Sequence, residues 1–198
     1  MKEETHDRKH AIWDEETIIC QILEGHTDLF RYLVNRYAED TLRIIGRIVS
    51  GQEDAEDILQ DVFVAAYQGL GGYDNSKASF KTWLLNIAYH MSLKRIQRTS
   101  SYLFVSIEEE SFDFIAESDM DELLNGTSPD RLALLDKAIK LLAPNDQLLL
   151  SLYYYDDMRL KDIAHVMACT DSYLRSRLQW IRKKLCHTIK TFENNEDK

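Results

Sequence analysis

Two consecutive apolar stripes near the carboxyl end of the chain constrain its fold more than any other feature. The first has the three- and four-residue spacing of one helix face and consists of Leu160, Ile163, Ala164 and Met167. Residues 168–170 then interrupt the pattern, and Thr170 or Asp171 can cap a following helix by accepting from its free N–H groups. The second stripe consists of Leu174, Leu178, Ile181 and Leu185. The stretch 159–184 therefore predicts two short helices with a tight connection.

The second of these helices carries polar and basic groups on its remaining faces. They are Ser172, Tyr173, Arg175, Ser176, Gln179, Arg182 and Lys183. A helix-turn-helix divides its surface in this way, because one face packs the helix pair together while the other enters the major groove of DNA. The same pattern fits an ordinary helical hairpin whose basic face is only solvated, so spacing alone leaves both interpretations open.

Charge is unevenly distributed along the chain. The net charge is −10, which argues against a general nucleic-acid binder. Two segments depart from this balance: residues 159–190 carry eight Lys or Arg against two Asp, and residues 77–105 carry five Lys or Arg and no acid. Two basic islands in an acidic chain indicate two separate contacts with phosphate backbone. The acidic remainder suggests protein partners or serves solubility.

Composition favours an all-α protein. Only seven Gly and two Pro occur in 198 residues, and 44% of the residues are hydrophobic, enough for packed cores. No apolar run approaches the roughly 18 residues of a membrane helix, and the amino terminus is too polar for a signal peptide, so we expect a cytoplasmic protein. The three cysteines and six histidines lack the spacing of disulfide frameworks or zinc ligands. We therefore expect free, buried thiols and neither a metal nor a cofactor.

The amino-terminal half predicts four helices. Short polar residues that can cap a helix start precede each apolar stripe, and they are Asp14, Thr27 or Asp28, Asp54 and Ser79. Glycines end the first two helices, at Gly25 and Gly51. The glycine-rich stretch 69–76 lacks the pattern of a nucleotide-binding phosphate loop, so we predict a simple connection there.

The third of these helices has an acidic stripe. Asp54, Asp57 and Asp61 stand three and four residues apart and so share one outward face, with Gln60 beside it. Such a stripe is often only a solvated surface, and acids early in a helix suit its dipole. The functional alternative is a docking face for a basic partner.

The fourth helix combines basic, aromatic and hydrogen-bonding side chains. Its basic residues are Lys81, Lys94, Arg95 and Arg98, and the others are Trp83, Asn86, Tyr89 and His90. This mixture suits single-stranded nucleic acid, because cations neutralise phosphates while rings stack on exposed bases. The alternative is that Trp83 and Tyr89 belong to the core and the basic groups are solvated.

The chain changes character over residues 99–128. Periodicity is weak there, and acidic residues such as those at 108–110 alternate with serine-rich patches. We predict a flexible acidic linker between two small helical domains. Ser128 and Pro129 restart helical structure, Pro144 begins a further helix, and Asp156 with Asp157 ends it before the helix pair.

Three motifs in this order resemble a bacterial RNA polymerase sigma factor of the extracytoplasmic-function group. They are DAEDILQDVF, FKTWLLNIAYHMSLKRIQR and the stretch from LDKAIKLLAPND through the helix pair to IRKKL. The resemblance covers roughly residues 27–98 and 132–187. It implies a region-two domain at 14–98 that binds the clamp helices of core polymerase and opens the −10 element. It also implies a linker at 99–128 and a region-four domain at 129–190 that binds the polymerase flap and reads the −35 element.

The resemblance also implies residue roles and partners. Core polymerase binding falls to Asp57, Gln60 and Asp61. Contacts with −10 DNA fall to Tyr73, Asp74, Lys77, Phe80, Lys81, Trp83, Asn86, His90, Lys94 and Arg95. Contacts with −35 DNA fall to Ser172, Tyr173, Arg175, Ser176, Arg177 and Gln179, with Arg182 and Lys183 near the backbone. Promoter DNA and a membrane-linked anti-sigma factor complete the implied partners.

The chain departs from the family pattern near the helix pair. Ala168 or Cys169 occupies the corner where Gly is usual, and a residue with a side chain fits there only if its backbone angles stay allowed. Gln147 stands where an Arg is common. Residues 172–174 read Ser-Tyr-Leu where Gly-Thr-Val is frequent, which places a larger side chain at a groove-facing position.

Three function classes fit these patterns. The first is a dissociable polymerase subunit that directs promoter recognition, melting and initiation at a specific regulon. The second is a self-standing helix-turn-helix regulator whose residues 27–98 sense a ligand or dimerise, and the third is a protein-binding helical adaptor. The sequence suggests no catalytic constellation, so we expect a protein that acts through binding energy and not an enzyme. The −10-like segment and the acidic motif together favour the first class.

Overall fold

The computed structural model describes residues 14–99 and 129–196, and these ranges are helical and contain no strand. The α-helices are α1 (Glu15–Leu23), α2 (Phe30–Ile48), α3 (Gln52–Gly69), α4 (Phe80–Thr99), α5 (Pro129–Lys140), α6 (Pro144–Leu150), α7 (Leu160–Val166) and α8 (Asp171–Glu196). Short 3-10 turns lie at Thr27–Leu29 and Leu70–Gly72, and a π-helical turn lies at Ser151–Tyr155. The all-α prediction is confirmed for these residues. The predicted linker 99–128 lies outside them except for Thr99, which ends α4.

Several predicted helix ends are confirmed. The side-chain oxygens of Asp14, Ser79 and Thr170 each accept from the backbone N–H three residues later, at 2.7, 3.2 and 3.2 Å. Each bond satisfies one of the N–H groups that a helix start leaves free. Gly25 follows α1 with φ of 109°, a left-handed conformation that glycine adopts without steric cost.

Two predicted boundaries in the amino-terminal half are wrong. Thr27 and Asp28 do not cap an α-helix, because they lie inside the 3-10 turn that leads into α2. Gly51 does not stop α2, which ends at Ile48; it is the residue from which α3 starts at Gln52. Asp54 therefore lies within the first turn of α3, where its charge interacts favourably with the positive end of the helix dipole.

Helices α2, α3 and α4 pack against one another around an apolar interior, and α1 packs on α2. The side chains of Leu33, Ile45, Val62, Phe80 and Leu84 are fully buried in this group. Each buried side chain of this size stabilises the fold by about 1.5–3 kcal/mol before chain entropy is counted. The predicted apolar stripes of these helices therefore do face the core.

Helices α5 to α8 form a second packed group whose buried residues include Leu148, Leu152, Ile163, Leu174 and Ile181. Helix α8 contacts α5, α6 and α7. The two groups touch one another, since α7 packs on α4 and α6 packs on α2. No helix in the described ranges has both the length and the apolarity that crossing a membrane requires.

Candidate functional site

The outward face of α3 presents the predicted docking residues to solvent. Asp57, Gln60 and Asp61 are all exposed, while Ile58 and Val62 on the opposite side of the helix are buried. A helix buries one stripe and leaves the other side free when its apolar residues repeat at this spacing. The three side chains therefore form one polar surface with two negative charges.

Asp54, at the amino-terminal end of the same stripe, has a different environment. Its carboxylate pairs with the guanidinium of Arg95 on α4. This hydrogen bond raises the pKa of Arg95, and the charges of Asp54, Asp57 and Asp61 raise it further. The acidic face of α3 and the basic end of α4 are thus electrostatic neighbours.

The connection between α3 and α4 is held by its own side chains. Asp74 Oδ1 accepts from the Ser76 N–H at 3.0 Å and from the Ser76 hydroxyl at 2.6 Å. These bonds, with the Lys77 ammonium 3.3 Å from the other carboxylate oxygen, lower the pKa of Asp74. The Tyr73 hydroxyl donates to the Ala78 carbonyl at 3.1 Å, which closes the loop.

Three aromatic rings surround Phe80 at the start of α4. The ring centroids of Tyr37, Tyr73 and Trp83 lie 5.6, 5.7 and 5.6 Å from that of Phe80. Phe80 itself is completely buried, whereas Tyr73 and Trp83 are half-buried at the edge of the cluster. Phe80 thus supports the two rings that reach the surface and is itself inaccessible to a ligand in this structure.

The basic side chains of α4 are only partly available. Lys81 Nζ lies 2.6 Å from Asp40 Oδ2, and this contact lowers the pKa of Asp40. Arg95 pairs with Asp54, as described above. His90 and Lys94 are exposed on the same helix.

Asn86 joins the two packed groups through hydrogen bonds. Its side-chain amide donates to the carbonyl oxygens of His165 at 2.8 Å and Val166 at 3.1 Å. These carbonyls belong to the last turn of α7, where helices leave acceptors unsatisfied. Asn86 therefore caps the carboxyl end of a helix that is about 80 residues away in the chain.

Tyr89, one turn further along α4, is 4% exposed. Burial raises its pKa to about 12, and the nearby Cys169 and Tyr173 contribute electrostatically. The structure therefore favours the core interpretation for Tyr89. This face of α4 lies under α7 and the connection to α8.

The predicted recognition helix, α8, displays an open polar face. Ser172, Tyr173, Arg175, Ser176 and Gln179 are exposed, with Tyr173 at 42%. Arg175 reaches Asp171 on its own helix with an N–O distance of 3.5 Å. An exposed pair of this kind contributes about 0–1 kcal/mol, so it restrains Arg175 only weakly.

The other predicted contacts on α8 are less open. Arg182 and Lys183 are half-buried further along the helix. Arg177 faces inward: its side chain is 13% exposed and binds both carboxylate oxygens of Asp146 on α6. In this structure the Arg177 guanidinium thus occupies a helix–helix interface and does not face a groove of DNA.

The corner between α7 and α8 has the left-handed conformation that glycine usually provides. Ala168 has φ of 52°. The Cys169 N–H donates to the Ala164 carbonyl at 3.0 Å and the Ala168 N–H to the His165 carbonyl at 3.4 Å. This is the Schellman arrangement of a helix end, in which the left-handed residue satisfies terminal carbonyls. A residue with a Cβ pays about 1–2 kcal/mol for that conformation.

The cysteines are free, but only Cys186 is buried. Cys20 is exposed, which contradicts the expectation of buried thiols, because it lies on the outer side of α1. Across residues 14–99 and 129–196, no group of three His, Cys, Asp or Glu side chains is arranged to hold a metal ion.

The sequence did not indicate the partners of these polar groups. Asp40, Asp146 and Asp156 each pair with a cation, and Asp146 and Asp156 do so across 31 and 113 residues. The sequence carried little signal for Asp146, because it lies in the polar first turn after Pro144, where an acid suits the helix dipole without a buried partner. Periodicity alone does not reveal which cation pairs with it.

Comparison with known proteins adds an independent line of evidence. Residues 33–102 match the family model for sigma-70 region 2. The RNA polymerase sigma-H factor of Pseudomonas aeruginosa is 27% identical over 174 residues, which cover 83% of this chain and 88% of that protein. The extracytoplasmic-function sigma factors SigW of Bacillus subtilis and sigma-E of Escherichia coli are each 24% identical and match 84% and 88% of this chain. Those matches cover 92% and 94% of the two relatives.

These matches show that the chain is similar to extracytoplasmic-function sigma factors of RNA polymerase. Sigma factors are transcription initiation factors of RNA polymerase and not enzymes. The family model covers α3, α4 and most of α2, so it includes the acidic face of α3 and the basic face of α4.

Solved structures share the fold of this chain. CnrH, in complex with the cytosolic domain of CnrY, aligns with a TM-score of 0.59 at 19% identity, over 88% of this chain and 96% of CnrH. RpoE of Bartonella quintana, in complex with the anti-sigma factor NepR, aligns with a TM-score of 0.52 at 20% identity. That alignment covers 81% of this chain and 96% of RpoE.

Proposed function

We propose that this chain is a sigma factor and that it binds core RNA polymerase through the exposed face of α3. The observation that carries the proposal is the surface formed by Asp57, Gln60 and Asp61, which no described side chain covers. Two carboxylates beside an amide provide acceptors for basic side chains of a partner, and their charge steers association. The clamp helices of the polymerase are the expected partner, and the flap is the expected partner of the carboxyl-terminal half.

The proposed domains are those that the sequence predicts: residues 14–98 for polymerase and the −10 element, and residues 129–190 for the −35 element. We assign the −10 contacts to Tyr73, Asp74, Lys77, Lys81, Trp83, Asn86, His90, Lys94 and Arg95. Stacking of a base on an aromatic ring is worth about 1–3 kcal/mol, which offsets the few kcal/mol needed to unstack it. Tyr73 and Trp83 are suited to this role because their rings reach the surface at the edge of the aromatic cluster.

Helices α7 and α8 serve as the helix-turn-helix in this proposal. The −35 contacts are assigned to Ser172, Tyr173, Arg175, Ser176 and Gln179, with Arg182 and Lys183 near the phosphates. Their exposure supports the assignment, since base edges in the major groove accept hydrogen bonds from such groups. Arg177 and Phe80 are left out, because Arg177 is paired with Asp146 and Phe80 is fully buried.

Initiation in this scheme requires the two halves to separate. Promoter elements about 25 base pairs apart lie about 85 Å apart along straight duplex at 3.4 Å per pair. In the structure, Asn86 on the −10 face is hydrogen-bonded to α7, only a few residues before the recognition helix. Binding to polymerase would hold the halves apart, so that both faces reach DNA and the protein acts by binding energy alone.

An anti-sigma factor is the proposed antagonist. CnrH and RpoE are bound to partner proteins in the structures that resemble this chain, and the partner of RpoE is an anti-sigma factor. By analogy, such a protein would occupy the same surfaces as polymerase or DNA. We expect it to be membrane-linked, as the family resemblance implies.

Run-off transcription tests this function. Purified core RNA polymerase would be supplied with a pool of upstream fragments from the source genome, with and without the protein. New specific transcripts are expected, and their start sites would reveal both promoter elements. Retained polymerase binding without transcripts would contradict the promoter assignments. Loss of both would favour a self-standing regulator, which duplex binding without polymerase would then establish.

A charge-reversal pair tests the docking face. Asp61→Lys is expected to abolish binding to core polymerase while leaving the helical content unchanged, because a cation would replace an acceptor on the exposed face. Glu39→Lys makes the same change in charge at an exposed position of α2 and is expected to leave binding intact. Equal polymerase affinity for the two variants would refute the assignment of α3.

A further inference from the structure

The pairing of Arg177 with Asp146 has the geometry of a fixed joint between α8 and α6. Arg177 Nε lies 2.7 Å from Asp146 Oδ1, and Arg177 Nη2 lies 2.8 Å from Asp146 Oδ2. Two parallel bonds between planar groups define an orientation that a single bond does not. Both groups are shielded from water, since Asp146 is 3% exposed and the Arg177 side chain 13%.

Trp180 fixes the same guanidinium from another direction. The Arg177 guanidinium carbon lies 4.0 Å from the centre of the indole ring, one turn along α8. Lys184 Nζ lies 4.8 Å from the same ring centre. Arg177 is therefore held between a carboxylate of another helix and an aromatic ring of its own helix, which leaves it little freedom to turn outward.

The position of Arg177 gives this joint a consequence for recognition. Arg177 directly follows Ser176 and lies two residues before Gln179, both of which are exposed. Successive residues of an α-helix are about 100° apart around its axis, so a fixed direction for Arg177 fixes the direction of both neighbours. A buried ion pair contributes little net stability, but removal of one partner is costly. The Asp146–Arg177 pair therefore matters here because it fixes the orientation of α8, and not because it stabilises the fold.

We propose that the Asp146–Arg177 pair sets the rotation of the recognition helix and thereby its discrimination among −35 sequences. Arg177 is a positioning residue that need not touch DNA. This inference rests on the proposed function, since it presupposes that α8 reads the −35 element. It also gives Asp146 a role that the apolar pattern of α6 did not suggest.

Conservative substitutions at both ends of the pair test the proposal. Arg177→Lys keeps the charge but loses the planar two-point contact, and Asp146→Asn keeps the shape but loses the negative charge. Transcription from the cognate promoter and from a set of single-base −35 variants would be compared. We expect each substitution to reduce the ratio of cognate to variant transcription at least 10-fold, while affinity for core polymerase stays within twofold.

A matched control separates positioning from general damage. Arg175→Lys alters an exposed arginine of the same helix that contacts Asp171 within that helix, so it should change contact strength without changing the Asp146–Arg177 pair. Double-mutant cycles between Asp146→Asn and Arg177→Lys should show strong coupling in the specificity ratio, because both changes break one joint. Asp146→Glu with Arg177→Lys, which restores reach and charge, should recover part of the ratio.

The possible results distinguish failure of the positioning role of Arg177 from failure of the proposed function of α8, on which that role rests. A folded Arg177→Lys protein with an unchanged specificity ratio would overturn the positioning role, even if the wild-type protein drives −35-dependent transcription. If wild-type transcription does not depend on the −35 sequence at all, the proposed function of α8 fails instead. If Arg177→Lys does not fold by circular dichroism, Asp146→Glu provides the same comparison through a one-methylene displacement of the carboxylate.

Discussion

Helices α4 and α8 both carry basic, polar and aromatic residues, yet they differ in how much of that surface is already occupied. On α8, Ser172, Ser176 and Gln179 lie exposed. On α4, Lys81 contacts Asp40, and Asn86 contacts α7. Two helices of similar composition therefore differ in availability. The polar face of α8 is open to a ligand, whereas that of α4 must first release its contacts with Asp40 and α7. Substitutions in these regions test the difference, and the one with the largest expected effect comes first.

Arg175→Ala is expected to have the largest effect, because it removes a side chain from the open face of α8. A good contact with a base edge provides about 1–3 kcal/mol of discrimination, or about 5- to 150-fold. Transcription from the cognate promoter should decrease by a factor in this range, while affinity for core polymerase should stay unchanged. Lys190→Ala, which removes an exposed cation near the other end of α8, serves as the control. Equal falls in transcription and polymerase affinity would show that Arg175 does not read DNA.

Asn86→Ala is expected to loosen α7 from α4. It removes two hydrogen bonds worth about 0.5–1.5 kcal/mol each, although the His165 carbonyl still accepts from the Ala168 N–H at 3.4 Å. Hydrogen exchange of the backbone amides in α7 should accelerate by a corresponding factor. Gln52→Ala removes a side-chain amide that contacts only its own helix and should leave α7 protected. Unchanged exchange in the Asn86 variant would mean that packing and the Arg43–Asp156 ion pair are enough to hold α7 against α4.

The burial of Tyr89 on α4 should change how the free energy of unfolding depends on pH. Its pKa is raised from 10.0 to about 12, so the folded state retains the proton that the unfolded state loses. The stabilisation is complete below pH 10 and declines by about 1.4 kcal/mol for each pH unit between 10 and 12. Chemical unfolding at successive pH values should show a decline in this range, to which the raised pKa values of Tyr37 and Tyr73 also contribute. Tyr89→Phe should reduce the decline by about this amount. Tyr155→Phe removes a hydroxyl from a tyrosine that is 78% exposed and serves as the matched control.

Ala168→Gly should have the smallest effect and the opposite sign. Glycine relieves about 1–2 kcal/mol of left-handed strain but adds about 0.5–1 kcal/mol of chain entropy to the unfolded state. We expect a net gain of about 0.5–1 kcal/mol in the free energy of unfolding, measured by denaturant titration. Ala133→Gly, within the middle of α5, lacks the positive φ and should be destabilising. A loss of stability in both variants would contradict the role of strain at the corner.

The sequence predicted the helices well because local rules determine them. Apolar spacing located all eight, and the caps at Asp14, Ser79 and Thr170 were correct because capping involves neighbours three residues away. The 3-10 turn at Thr27–Leu29 was missed, since the side chains that favour a cap also favour a turn.

The site was only partly predictable. The exposed position of Asp57, Gln60 and Asp61 followed from helical spacing, as did the open polar face of α8. The inward direction of Arg177 and the attachment of Asn86 to α7 depend on contacts 31 and 79 residues apart in the chain. Periodicity assigns a residue to a face, but it does not identify which other helix will lie against that face.

If Asn86 contacts −10 DNA as proposed, its double hydrogen bond also affects how tightly promoter DNA can bind. While the amide is donated to the carbonyls of α7, it is unavailable to a base, so only molecules that have released α7 are competent. The apparent dissociation constant then equals the intrinsic one divided by the competent fraction. If one molecule in a hundred is released, promoter affinity is about 100-fold weaker than the contact itself allows. Any partner that favours the released form strengthens DNA binding without adding a single contact to DNA.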